Sequence, residues 1–314
     1  MHWAHDYVET DTFFGLLYAK IKLYTVLRCL GVHCSFRREN REGKLQGQLK
    51  EQRKTQVKLM KKSNITLGTF FQLGGRGVIE CLARGGLDYV VIDTEHGYFS
   101  EESTEDYIIA AENLGLLPFV RIGDLRRPYI LRMLDIGARG LIIPQIHNAE
   151  EVRGIVSYAK FPPVGKRGFC PTRTSGWGSD EWAHDLEEYM RICNDRVKVL
   201  PQCETREALE NIDEIMSVPG VDGIFIGPYD LSIDLGIPGK MDSPVLSDAI
   251  ARILQACEKY GKASYIYAGS MEAAARWAEM GFDSIAYGMD AMVLGDSYRA
   301  LSQEFRKAVS KAVK

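Results

Sequence analysis

In the segment 89–97, YVVIDTEHG, two acids and a histidine (Asp93, Glu95 and His96) follow directly on a run of apolar and aromatic residues. A run of this kind, with β-branched residues in it, reads as a buried strand of a parallel sheet. The three ionisable side chains then stand where the strand leaves the core, the edge at which parallel α/β folds bind ligands and do chemistry. A lone aspartate there would pass for a solvated turn. An acid–acid–histidine cluster has the composition of a site with perturbed protonation and general acid–base capacity.

Other apolar runs end the same way. LLPFVR closes on Arg121, a guanidinium suited to gripping a carboxylate with two parallel hydrogen bonds, or else to pairing with a neighbouring strand-end acid. VKVLPQCE closes on Gln202 and Glu204, which strand alternation puts on one face with Cys203 on the other, so Cys203 is a packing residue. DGIFIG runs into Gly227-Pro228-Tyr229-Asp230. Glu204 and Asp230 are hard oxygen donors, of the type that suits Mg²⁺ or Mn²⁺ with the remaining shell left to water and substrate. Their bland reading is a pair of helix N-terminal acids. Gln72, Gln145, Tyr267, Gly288 and Asp290 occupy the remaining run ends. No lysine does: Lys198 and Lys262 precede their runs, so imine-forming amine catalysis has no candidate here.

These residues need elements to hold them. From Ile65 onward strand and helix signals alternate. Strands are expected at ITLGTFFQ, YVVID, LLPFVR, RGLIIP, VKVLPQCE, DGIFIG, KASYIYAG and DSIAYG. Helices are expected at 77–84, 101–114, 127–135, 149–160, 205–217, 244–260, 271–280 and 291–309, with an extra one at 181–193 after the Gly/Pro-rich loop PPVGKRGFCPTRTSGWGSD. The last helix carries Leu294, Tyr298, Leu301 and Phe305 as one apolar stripe. Eight strand–helix units in about 250 residues predict an α/β fold, a (β/α)8 TIM barrel with an N-terminal extension. A doubly wound open sheet is the alternative, but GGRG after the first strand does not make a nucleotide-binding turn.

The chain has 314 residues, 46% hydrophobic and 26% charged, with a net charge of −3, which gives no reason to expect nucleic acid as a partner. Between Arg37 and Lys62 ten Lys/Arg stand against three Glu, about +7, whereas 63–314 carries about −10. Residues 1–59 are therefore expected to be an extension, disordered or helical and dispensable, and 60–314 the functional domain, with Met60-Lys61-Lys62-Ser63 resembling an ordinary protein start. Lys20, Lys22 and Arg28 interrupt the apolar stretch 13–30, which excludes a membrane span or signal segment there. Seven scattered cysteines without zinc-ligand spacing fit free thiols in a reducing cytoplasm.

Taken in order, DTEHG, FVR, LDIGARGLIIP, FPPVGKRG, QCET and GIFIGPYDLS resemble the HpcH/HpaI-type class II aldolases, metal-dependent pyruvate aldolases of the phosphoenolpyruvate/pyruvate superfamily. The resemblance runs over about 65–301. It implies that Glu204 and Asp230 ligate a divalent metal (Mg²⁺ or Mn²⁺, Co²⁺ also being possible) and that His96 is the acid/base with Asp135 as its orienting partner. It further implies that Arg121 stabilises the pyruvate enolate, that Gln202 and the backbone at Gly227 and Pro228 contact the keto acid, and that Asp93 supports the water network. The implied activity is reversible retro-aldol cleavage of a 4-hydroxy-2-keto acid to pyruvate and an aldehyde, in a hexamer built as a trimer of dimers. The rival on the same site is an enolate-condensing enzyme, citrate-synthase-like or macrophomate-synthase-like. A phosphoenolpyruvate phosphotransferase would want more basic residues at the rim, and an inert scaffold would not keep this residue set. Thr94, Tyr229, the two tyrosines of SYIYAG and the loop Arg173–Trp177 depart from the family pattern and bear on which aldehyde is taken.

Overall fold

The computed structural model describes residues 65–313; the expectations for 1–59 lie outside them. Eight strands, each hydrogen-bonded to the next and the last to the first, close a parallel barrel: β1 (Thr66–Phe71), β2 (Tyr89–Asp93), β3 (Leu117–Arg121), β4 (Gly140–Ile143), β5 (Lys198–Cys203), β6 (Gly223–Ile226), β7 (Ala263–Ala268) and β8 (Ser284–Met289). The open-sheet alternative is thereby excluded. The helices between them are α1 (Arg76–Arg84), α2 (Glu101–Asn113), α3 (Arg127–Asp135), α4 (Ala149–Ala159), α5 (Leu186–Arg196), α6 (Arg206–Glu210), α7 (Ile212–Ser217), α8 (Pro228–Asp234), α9 (Pro244–Tyr260), α10 (Met271–Met280) and α11 (Asp290–Ala312).

Each strand reads as it does because both of its faces are covered. All five residues of β2 and all four of β4 and of β6 are buried, as expected where one face lines the barrel and the other meets helices. Phe70, Tyr89, Phe119, Leu200 and Phe225 fill the barrel lumen, so it is a packed core. Outside the strands Ile79, Ile108, Ile130, Val152, Ile250 and Trp277 bring the helices onto the sheet. Local signals start the helices where they must. Ser100 accepts from the Ser103 N–H, and Asn148 from those of Glu150 and Glu151, each cap contributing about 1 kcal/mol.

The structure departs from the sequence reading at two places and adds to it at two more. The loop after α4 forms two 3₁₀ turns, Arg173–Gly178 and Glu181–Ala183, and the extra helix starts only at Leu186, capped by Asp185. The single helix expected at 205–217 is broken at Asn211 into α6 and α7. GPYDLS, given no element by the sequence reading, leads into α8, because Pro228 pre-sets the backbone at its first position. The stripe on α11 is not core within one chain: Leu294, Tyr298, Leu301 and Phe305 are 49%, 62%, 59% and 67% exposed.

Candidate active site

The register of the barrel brings the strand-end residues together. Asp93 pairs with Arg121 across β2 and β3. The Asp93 carboxylate is fully buried, and its two oxygens accept from Arg121 Nε at 2.9 Å and Nη2 at 2.6 Å. Gln72, just past β1, donates its amide to Asp93 Oδ2 at 2.6 Å. The backbone N–H groups of Glu95 and His96 turn onto Oδ1 at 3.2 and 3.3 Å. Burial alone would raise the Asp93 pKa; the hydrogen bonds and charge of Arg121, with Gln72 and the His96 amide, outweigh it and hold the carboxyl below its ordinary value. Asp93 is thus surrounded by protein donors. Its geometry is that of a positioning residue that folds the 93–97 turn and fixes Arg121.

Arg121 is 6% exposed, with its Cζ 4.8 Å from the centre of the Phe70 ring, and Glu95 Oε2 lies 3.3 Å from its Nε. The Nε/Nη2 edge is spent on Asp93, which leaves the Nη1 side of the fork for any further acceptor. The internal salt bridge offered by the sequence is made on that edge, and an anion grip has only the Nη1 side left to it.

Glu204 follows the last residue of β5 and is 3% exposed. Its Oε1 accepts from the backbone N–H and the side-chain amide of Gln145, at 2.8 and 3.0 Å, and Oε2 accepts closely from Gln202 Nε2. A Cβ at position 227 would lie 2.9 Å from Glu204 Oε2 and 3.0 Å from Gln202 Nε2, so only glycine lets β6 pass this carboxylate. Burial first, then the neighbouring charge of Asp230, pushes the Glu204 pKa up to about 7. Asp230 is exposed in the first turn of α8, which makes the helix-terminal reading of this acid correct as well. Glu95 is raised too, by burial and by Asp93 and Asp230, against the pull of Arg121 and His96.

Four carboxylates (Asp93, Glu95, Glu204 and Asp230) thus surround one guanidinium, a surplus of negative charge that suits a cation. Gln202 Oε1 is buried and has no hydrogen-bond donor, a further hard oxygen beside the pair. Among the described residues no group of three or more His, Cys, Asp or Glu side chains forms a metal cage. The donor set therefore fits a hard divalent ion held by Glu204 and Asp230 that takes its other ligands from water and substrate.

His96 is exposed at the turn after β2. Asp135 does not reach it within the chain. It is the last residue of α3, which runs back from the end of β3 to the start of β4, so it lies at the opposite end of the barrel, where Arg167 Nη2 donates to it at 2.8 Å. Within one chain, then, the structure does not bring Asp135 and His96 together. Gln145 had been placed at the rim but given no role. Its φ of 53° is rare for a non-glycine residue and aims both of its N–H donors at Glu204. Cys203 is buried with its thiol pKa raised by burial, as a packing residue should be. Tyr229 and Tyr267 meet edge-to-face at 5.8 Å, and Tyr267 meets Phe70 at 5.9 Å, an aromatic wall that joins Arg121 to the outer rim.

The family model for the HpcH/HpaI aldolase/citrate lyases matches residues 67–296. The chain belongs to that family. It is 34% identical over 241 residues to 4-hydroxy-2-oxo-heptane-1,7-dioate aldolase of Salmonella typhimurium, covering 76% of this chain and 89% of the relative. It is 32% identical over 240 residues to 2-keto-3-deoxy-L-rhamnonate aldolase of Escherichia coli K12, covering 76% and 88%. Among solved structures it is similar to the citrate synthase SbnG, with a TM-score of 0.69 and 29% identity over 80% of this chain and 96% of that one. The chain is a carbon–carbon lyase, and its family implies a divalent metal.

Proposed function

We propose that this protein catalyses the reversible, metal-dependent retro-aldol cleavage of a 4-hydroxy-2-keto acid to pyruvate and an aldehyde. The observation that carries the reading is the buried Glu204, with the charge of Asp230 bearing on it and close enough to Arg121 to act on that guanidinium. Glu204 and Asp230 would hold Mg²⁺ or Mn²⁺. When bound, the ion supplies a Lewis acid for the keto acid. The Nη1 side of Arg121 takes the charge that develops on the enolate, in a site where burial strengthens such contacts. His96 removes the proton from the 4-hydroxyl; the oxygen's electrons form the aldehyde carbonyl, the C3–C4 bond breaks, and its electron pair enters the enolate. Protonation at C3 completes pyruvate. Gln202 and the backbone at Gly227 and Pro228 border the keto acid, and Tyr229 and Tyr267 border the aldehyde.

Pyruvate release from simple 4-hydroxy-2-keto acids, with and without EDTA, tests the reading. Metal-dependent release supports it; condensation of an enolised keto acid with no cleavage in either direction would favour the synthase alternative, which the likeness to SbnG keeps open. The exposed apolar stripe of α11 supports assembly through the last helices into a hexamer, a trimer of dimers. No helix among the described residues is long and apolar enough to cross a membrane. The five described cysteines are free thiols, which supports a cytoplasmic setting.

A further inference from the structure

A second charged cavity lies at the other end of the barrel. It has a volume of about 250 Å³ and is walled by the ends of α2 and α3, the turn into β4, the 3₁₀ turn at Arg173 and the end of α5. Four guanidinium groups, those of Arg139, Arg167, Arg173 and Arg196, line it together with the carboxylates of Glu112 and Asp180. Their partners are unevenly shared. Arg173 Nη2 donates to Glu112 at 2.5 Å, and Arg139 only approaches the same carboxylate at 3.9 Å. Arg167 pairs with Asp135, and Asp180 accepts from Trp182 Nε1 at 3.1 Å. Arg196 stacks on the Trp182 ring at 4.8 Å and, among the described residues, is in no ion pair.

The helix ends explain why cations gather here. Three helices point their C-termini at this face, and each carries roughly half a negative charge. Arg173 makes use of one: its Nη1 donates to the Ile136 carbonyl at 3.3 Å, through a gap that exists because position 137 is a glycine at φ 112°. A Cβ there would lie 2.4 Å from Arg173 Nη1. The helix ends do not satisfy the rest. Arg139 Nε and Arg167 Nε are buried donors without an acceptor, and the Arg167 side chain is 2% exposed. Leaving such donors of charged groups unmet is costly. Burial, and then the charge of Arg196, also lowers the Arg139 pKa, against the pull of Glu112.

We propose that this cavity is a binding site for a small oxyanion, separate from the aldolase site. The unmet Nε–H groups of Arg139 and Arg167 are the donors it would engage, and Arg196, in no ion pair among the described residues, is the free cation beside them. The chemistry is shared by phosphate, free or as a small monoester, and by short dicarboxylates. Guanidinium groups bind both through parallel N–H···O pairs.

The test is calorimetric titration of the full chain with inorganic phosphate and, separately, with malonate, at an ionic strength held constant with chloride. Saturable binding is expected for at least one probe, and which one binds identifies the source. Arg139→Gln and Arg196→Gln should each weaken binding at least tenfold, whereas Glu204→Gln, which alters the other end of the barrel, should leave the affinity unchanged. Near-ultraviolet circular dichroism of each variant separates a lost site from a lost fold, and Arg196→Lys, which keeps the charge, serves if Arg139→Gln does not fold: it should retain more affinity than Arg196→Gln. No saturable binding of either probe to the wild-type protein would overturn the proposal. So would binding that survives both glutamine variants or disappears in Glu204→Gln.

Discussion

Asp93 and Arg121 stand opposite each other in the register of β2 and β3, and both oxygens of the carboxylate accept from one edge of the guanidinium. The pair is almost wholly buried, so its two charges are held by each other and by Gln72 and not by water. Removing one member of such a pair leaves an uncompensated charge, typically at a cost of about 3–5 kcal/mol. Asp93→Ala is therefore expected to lower unfolding stability by that order in urea. Arg121→Lys keeps the charge but loses the fork, and should impair pyruvate release nearly as much as Arg121→Ala. A fully active Arg121→Lys enzyme would remove the guanidinium edge from the mechanism.

Glu204→Gln and Asp230→Asn each remove one anionic donor and little volume. Each should abolish metal-dependent pyruvate release and strip bound divalent metal from the purified protein, with the fold intact by circular dichroism. His96→Ala should instead retain metal and lower kcat by about 10²- to 10⁴-fold, the usual worth of a general acid or base. Metal analysis beside kcat separates the two groups. Metal lost from His96→Ala, or kept at the wild-type level by Glu204→Gln, would reverse the assignments.

Much of this site was legible because its residues end apolar runs. Asp93 and Arg121 end strands, and Glu204 and Asp230 come just after strands, that had to be buried on both faces, so their place at one end of the barrel followed from the run itself. Asp135 ends a helix, and a helix in a barrel returns the chain to the far face; the motif LDIG carries no sign of that reversal. Gln145 went without a role because a positive φ at a glutamine leaves no trace in residue types. The stripe on α11 was visible as periodicity, but periodicity gives a face and not what covers it. The arginine cavity was invisible for a related reason: Glu112, Arg139, Arg173 and Arg196 come from four separate segments.

Tyr229 and Tyr267 narrow the rim opposite Arg121, with Tyr229 45% exposed and packed edge-to-face on Tyr267. Tyr229→Ala should open this side of the pocket and remove an apolar contact. The expected result is a raised KM for small apolar aldehydes in the condensation direction and improved kcat/KM for bulkier ones, with metal content unchanged. Steady-state kinetics over an aldehyde series of increasing size checks this. A uniform loss across the series would mean that Tyr229 supports the α8 turn and takes no part in selectivity.

The raised pKa of Glu204 makes a signed prediction for the metal-free protein. In the unfolded chain this carboxyl titrates near 4.5; in the folded chain burial, with Asp230 adding to it, moves it to about 7. Below pH 4.5 both states hold the proton and the group contributes nothing to pH dependence. Between 4.5 and 7 the folded state keeps a proton that the unfolded state has released, so folding stability falls as pH rises. Above 7 the penalty is complete, on the order of 3 kcal/mol from the shift. Urea unfolding in EDTA at pH 5 and pH 8 should show this loss in the wild-type protein relative to Glu204→Gln, whose side chain does not titrate. Excess Mg²⁺ should reverse the trend, because the ion binds the deprotonated carboxylate and stabilises the folded state more as pH rises. Parallel pH dependences of the wild-type and Glu204→Gln proteins in EDTA would show that Glu204 is ionised at no cost in the folded chain, and that its environment is not the anionic cluster described above.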